Sequence, residues 1–206
     1  MCVAIGMGAW LLVACACPAQ AQTSFHVRGV VVRGGEMMLP ELPPMIVRTA
    51  DGHEVTVQVA INPRGADVRH ADRSALVAGR YVGVIATGAP GGARHAHAVI
   101  VYPPFMAGSD AGETAWDAPA GSARVNGDIV DASPRDGAMA LTLRHDGQDA
   151  LFTIDDATAI VAVDDAGGFH AYPPGAHVFI DATRQRDGRI TAGRVFVGKD
   201  GLVPPM

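Results

Sequence analysis

Cysteine is nearly missing from this chain, and its few positions settle which chemistries remain open. Cys2, Cys15 and Cys17 all precede residue 22. A chain cut after Ala21 therefore carries no thiol, which excludes cysteine nucleophiles, cysteine zinc clusters, redox pairs and disulfides together. Lysine occurs once, at Lys199, the arginines are scattered, and the formal net charge is −5. Polyphosphate backbones are bound through concentrated positive charge, so no nucleic acid partner is expected. After the leader no run approaches the roughly 20 apolar residues of a membrane helix. Helical periodicity is confined to one candidate turn, Ser74-Ala75-Leu76-Val77. The signatures G-x-S-x-G, H-E-x-x-H and S-x-x-K, the Walker loop and the dinucleotide fingerprint are all missing, so the chain does not read as an enzyme.

The leader itself is informative. Val3 to Ala16 is apolar and uncharged, and Ala19-Gln20-Ala21 offers a small-residue cleavage site. Residues 1–21 therefore read as a signal peptide and the mature protein as exported or periplasmic. Leu12-Val13-Ala14-Cys15 also fits a lipoprotein box, with Cys15 as the lipid anchor.

The rest of the sequence repeats itself at an offset of about 96 residues. Val27-Arg28-Gly29-Val30-Val31-Val32 answers to Val125-Asn126-Gly127-Asp128-Ile129-Val130. Ile46 to Val57, around Asp51-Gly52, answers to Leu141 to Ile154, around Asp146-Gly147. Gly79 to Thr87 matches Gly175 to Thr183, and Ala96 to Val101 matches Ala192 to Val197. Each copy reads as about five short strands, and Asp-Gly between apolar runs is a hairpin signal. The expected fold is all-β: two tandem five-stranded OB-like barrels, over 25–103 and 123–200, joined by a linker at 104–122 and followed by a tail at 201–206. Strict alternation would send Ala96 and Val99, and likewise Ala192 and Val195, to opposite faces, so bulges are expected at His97-Ala98 and Gly193-Arg194. Trp116 is expected to pack on one or both barrels, because a unit of about 75 residues without disulfides has a marginal core.

The blocks Pro104-Phe105-Met106, Trp116-Asp117 and Gly121-Ser122, with the ending Ala192 to Met206, resemble a family of exported proteobacterial proteins built from tandem OB-like repeats of a domain of unknown function. Some members carry the label metal ABC transporter permease, which conflicts with a mature chain lacking apolar spans. The resemblance implies export and the OB-like fold, and assigns no activity to any residue.

His95 and His97 sit at i, i+2 on a strand-like run and could chelate copper, zinc or nickel. The repeat places Thr191 and Gly193 at the same positions, so the fold does not require the imidazoles. His26, His53 and His70 lie in the same copy, and His145, His170 and His177 lie in the other without ligand spacing. Asp155-Asp156 and Asp164-Asp165 read as solvated loop charge. Met37, Met38, Met45, Met106 and Met206 lack the close spacing of a soft-metal site. Val203-Pro204-Pro205-Met206 favours an extended tail that a partner could capture, and also fits an end packed on its own barrel. Trp116, Pro204, Pro205 and Met206 are thus the candidate partner contacts, for an envelope protein, peptide or saccharide. The functional expectation is a non-enzymatic exported binding or assembly module without a required cofactor. A periplasmic transition-metal binder using His95 and His97 is the alternative, and a hydrolase comes third.

Overall fold

The computed structural model describes residues 22–34, 44–59, 64–165 and 172–206. Residues 1–21, with the three cysteines, and Met37, Met38 and His170 lie outside the described residues. The first copy supplies strands β1 (Thr23–Arg33), β2 (Met45–Thr49), β3 (Glu54–Val57), β4 (Arg64–His70), β5 (Tyr81–Thr87) and β6 (Arg94–Val101). The second supplies β8 (Ser122–Arg135), β9 (Ala138–His145), β10 (Gln148–Ile154), β11 (Ala159–Asp165), β12 (His177–Arg184) and β13 (Ile190–Gly198). Between them the expected linker holds a strand of its own, β7 (Gly112–Trp116), paired to β8. Among the described residues the only helical elements are two single 3-10 turns. One, Arg73–Ala75, lies at the expected turn, where the Asp72 carboxylate accepts the Ser74 N–H at 2.8 Å.

The all-β expectation holds, and so do its hairpins. At the β9–β10 turn Asp146 and Gly147 adopt φ of 48° and 74°, the left-handed pair that a two-residue hairpin requires. Gly29 on β1 and Gly127 on β8 occupy equivalent positions. A Cβ at either would collide with a carbonyl oxygen of the next strand, that of Arg48 or Arg144.

Five strands close into a mixed barrel. β8–β9, β9–β10, β5–β6 and β5–β8 pair antiparallel, and β10 pairs parallel with β6 through Phe152↔Arg94 and Thr153↔His95. Its interior is built on Val84, Val99, Leu141, Leu143, Phe152 and Ile154. β5 and β6 come from the first copy and β8 to β10 from the second. The closed ring therefore follows neither 25–103 nor 123–200 by itself. The remaining strands run β3-β2-β1-β12-β13 around another apolar cluster with Val31, Met45, Val47 and Ile180. There β3 and β13 meet at one bridge, where Gln58 N–H donates to Ile190 O at 2.7 Å and Ala192 N–H to Gln58 O at 2.9 Å. Closure by a strand ladder is thus shown for one barrel, with the other strands outside it.

β4 and β11 lie antiparallel between the two groups, each also running parallel to the last strand of a copy: β4 to β13 and β11 to β6. Exchange leaves the inward pattern of each strand unchanged, since side chains still alternate with period two. What it adds is a third apolar layer, in which Ile85, Ile100, Val163, Phe179 and Phe196 bury the second faces of their strands. Two small cores with a shared middle remove more apolar surface from water than two separate units would.

Both expected bulges are present. Ile85 faces Ala98 but Ala86 faces Ala96, leaving His97 unpaired, and Asp181 faces Arg194 but Ala182 faces Ala192, leaving Gly193 unpaired. The extra residue returns Ala96, Val99 and Val101 to the barrel interior while Ala98 and Ile100 turn to the middle layer.

Candidate functional site

The middle layer reaches the surface at a polar cleft of about 700 Å³, lined by Phe25, His26, Asp110, Arg124, Asp181 and Arg194 among others. Four segments meet there: β1, the connector before β7, the start of β8, and the β12–β13 hairpin. β1 and β12 pair antiparallel with His26 opposite Asp181, so strand register alone brings an imidazole to a carboxylate. His26 Nε2 lies 3.6 Å from Asp181, and Nδ1 lies 3.0 Å from Asp117, just past the end of β7.

The charges form a continuous chain. Arg28 donates to Asp117 at 2.9 and 2.7 Å, and its Nε donates to Met206 O at 2.5 Å. Arg194 bridges Asp181 at 3.1 Å and Asp110 at 2.5 Å, and Arg124 stands 3.7 Å from Asp110. Below them lie aromatic rings: His26 is 4.5 Å from Trp116 and 5.0 Å from Phe179, and the Arg124 guanidinium lies 4.5 Å over Trp116. The Arg28 hydrogen bonds, helped by His26, hold the Asp117 carboxyl well below its usual range. At Asp110 burial works toward protonation, but the Arg194 hydrogen bond and the charges of Arg194 and Arg124 outweigh it and keep the carboxyl low. Burial likewise opposes charge on Arg194, and Asp110 and Asp181 overcome it, so that its pKa is raised. Nearby, desolvation pushes the Tyr81 phenol up to about 12, and its hydroxyl donates to Ser109 O at 2.8 Å.

The residues expected from sequence fall in two places. His95 and His97 project from the outer surface of the closed barrel with ring centroids 5.1 Å apart. His97 Nε2 lies 3.0 Å from Thr87 Oγ1, and His95 Nδ1 lies 3.7 Å from Asp155. Among the described residues no group of three or more His, Cys, Asp or Glu is placed to hold a metal ion. Trp116 and Met206 lie in the middle layer, 5% and 6% exposed. Pro204 is buried and Pro205 half-buried, and the Met206 carbonyl accepts from Arg28, so the tail packs on its own body with Val203 exposed.

Asp110, Asp117, Arg124, Asp181 and Arg194 were not legible as a group. They are spread over 110–194, and only the bulge expected at Gly193-Arg194 pointed toward one of them. No protein-family model, curated protein or solved structure matches this chain.

Proposed function

We propose that this protein is a non-enzymatic binding module exported to the bacterial envelope, and that it holds a polar partner, whether protein, peptide or saccharide, at the cleft around His26 and Arg194. The observation that carries the reading is the matching of charge there. His26 is flanked by two carboxylates, Asp117 and Asp181, rather than set against a hydroxyl, whereas a hydrolase needs a nucleophile within hydrogen-bond reach of its base. Ion pairs held in place over buried rings supply fixed donors and acceptors, which suit recognition. The scaffold in this reading is a doubled OB-like unit, with β3 and β13 completing a second barrel as β10 and β6 complete the first. OB-like surfaces commonly carry oligomeric ligands.

The test is photo-crosslinking in intact cells from Thr183 in the cleft and, as a control, from Val77, which is half exposed on another part of the surface. The reading requires a discrete adduct from Thr183 and none from Val77. Equal labelling at both positions, or none at either, overturns it.

A further inference from the structure

The two copies differ in one respect that bears on recognition. On β8, the stretch Ser122–Asn126 pairs with β7 on one side, and from Ala123 onward with β5 on the other. On β1, the equivalent stretch Ser24–Arg28 pairs with β12 on one side, and its other side meets β2 only from Gly29 onward. Val31 exchanges backbone hydrogen bonds with Gly175 and Ala176 at the β12 side. By alternation Ser24, His26 and Arg28 turn their backbone N–H and C=O groups to the opposite, open side. Among the described residues no strand takes them up, and Thr23 and Ser24 are exposed.

The filled copy shows how such an edge is occupied. Residues after β6 are held by the Asn126 side chain, which donates to the Ser109 and Asp110 carbonyls at 3.4 and 3.1 Å, and the chain then runs as β7 antiparallel along β8. In the other copy Arg28 stands where Asn126 does and takes Met206 O, with no strand beyond it among the described residues. β7 also brings an acid to an arginine: Glu113 pairs with Arg94 at 2.9 Å. Across β1 from the open edge, Arg184 of β12 extends over β1, its guanidinium 5.5 Å over the Phe25 ring, and it has no carboxylate partner among the described residues.

We infer that the edge of β1 at Ser24–Arg28 receives an extended, acidic segment of another polypeptide as an added antiparallel strand, with a carboxylate on the face shared by Phe25, Val27 and Arg184. This rests on reading the protein as a binding module and narrows its partner to a peptide strand. Main-chain hydrogen bonds supply the affinity in strand addition and the side chains supply the choice. The stretch Ser24–Arg28 holds no carboxylate, so a second copy paired edge to edge along it would bring none to Arg184.

The test uses the full chain and a labelled peptide reproducing Asp110–Asp117, followed by fluorescence anisotropy. Saturable binding is expected. It should be lost when alternate peptide nitrogens are methylated and weakened about tenfold by Glu113→Lys in the peptide or Arg184→Glu in the protein. Ser24→Pro removes one outward N–H at a position where an edge strand tolerates proline, and should also weaken binding. Undiminished binding of the methylated peptide overturns strand addition. So does failure of the peptide to bind at all, or a dimer that Ser24→Pro dissociates. A Thr183 adduct obtained alongside any of these results leaves the binding-module reading standing and removes only the strand.

Discussion

Arg94 and Glu113 offer the sharpest energetic test of how the connector is fastened to the closed barrel. The Arg94 side chain is 5% exposed and Glu113 33%. They form a fork, Nη1 to Oε1 and Nη2 to Oε2, both at 2.9 Å, while the guanidinium lies 5.8 Å over the Phe152 ring. Removing one partner of a fully buried pair costs about 3–5 kcal/mol, because a charge is left unpaired away from water. Water reaches one face of Glu113, so Glu113→Gln should cost less, about 2 kcal/mol. In a chain of this length that lowers the melting temperature by about 4–8 °C. Arg94→Met should cost about 1 kcal/mol, since the exposed side of Glu113 can rehydrate. The double variant should be more stable than the sum of the two losses by about 1 kcal/mol or more. Urea unfolding of the four proteins measures this cycle. Additivity within about 0.3 kcal/mol, or a Glu113→Gln loss below about 0.5 kcal/mol, would refute the buried-pair reasoning.

Gly29→Ala and Gly127→Ala should each destabilise by about 1–3 kcal/mol in urea unfolding, because both force a Cβ into a neighbouring carbonyl; a neutral result at both would mean that the equivalent close approaches are relaxed. The folded-state pKa of Asp117 is depressed below its usual 3.8, so its contribution is present above that value and is lost as pH falls below it. Asp117→Asn should therefore flatten the acid limb of the stability curve below about pH 4, read by thermal melts across pH, and an unchanged limb would contradict the Arg28 and His26 contacts. Zinc, copper or nickel titrated by calorimetry should show no stoichiometric uptake dependent on His95 and His97, because neighbouring residues supply at most Asp155 as a further ligand; one-to-one uptake abolished by His95→Ala with His97→Ala would restore the metal reading.

Local structure was largely legible in the sequence, and partner choice was not. The Asp-Gly turns, the 3-10 turn near Ser74 and both bulges come from chain-local rules of alternation and turn geometry. Which β6 meets which third strand does not, because β3 and β10 carry similar patterns and either would satisfy the inward residues of β6. The site was hidden for the same reason. His26 and Asp181 become neighbours only when β1 pairs with β12, 155 positions away in the chain. Trp116 is legible as a packing residue, and it lies 5% exposed in the middle layer.

The exchange of strands between the copies is tested most directly by cysteine pairs, in a chain with Cys2, Cys15 and Cys17 changed to serine. His95→Cys with Thr153→Cys joins facing positions of β6 and β10, whereas His95→Cys with Gln58→Cys joins positions that would face each other if the first copy closed on itself, as Gln58 faces Thr191. A disulfide needs Cβ atoms within about 4.5 Å. The account predicts an intrachain disulfide for 95 with 153 and none for 58 with 95; a disulfide between 58 and 95, with none between 95 and 153, would contradict it.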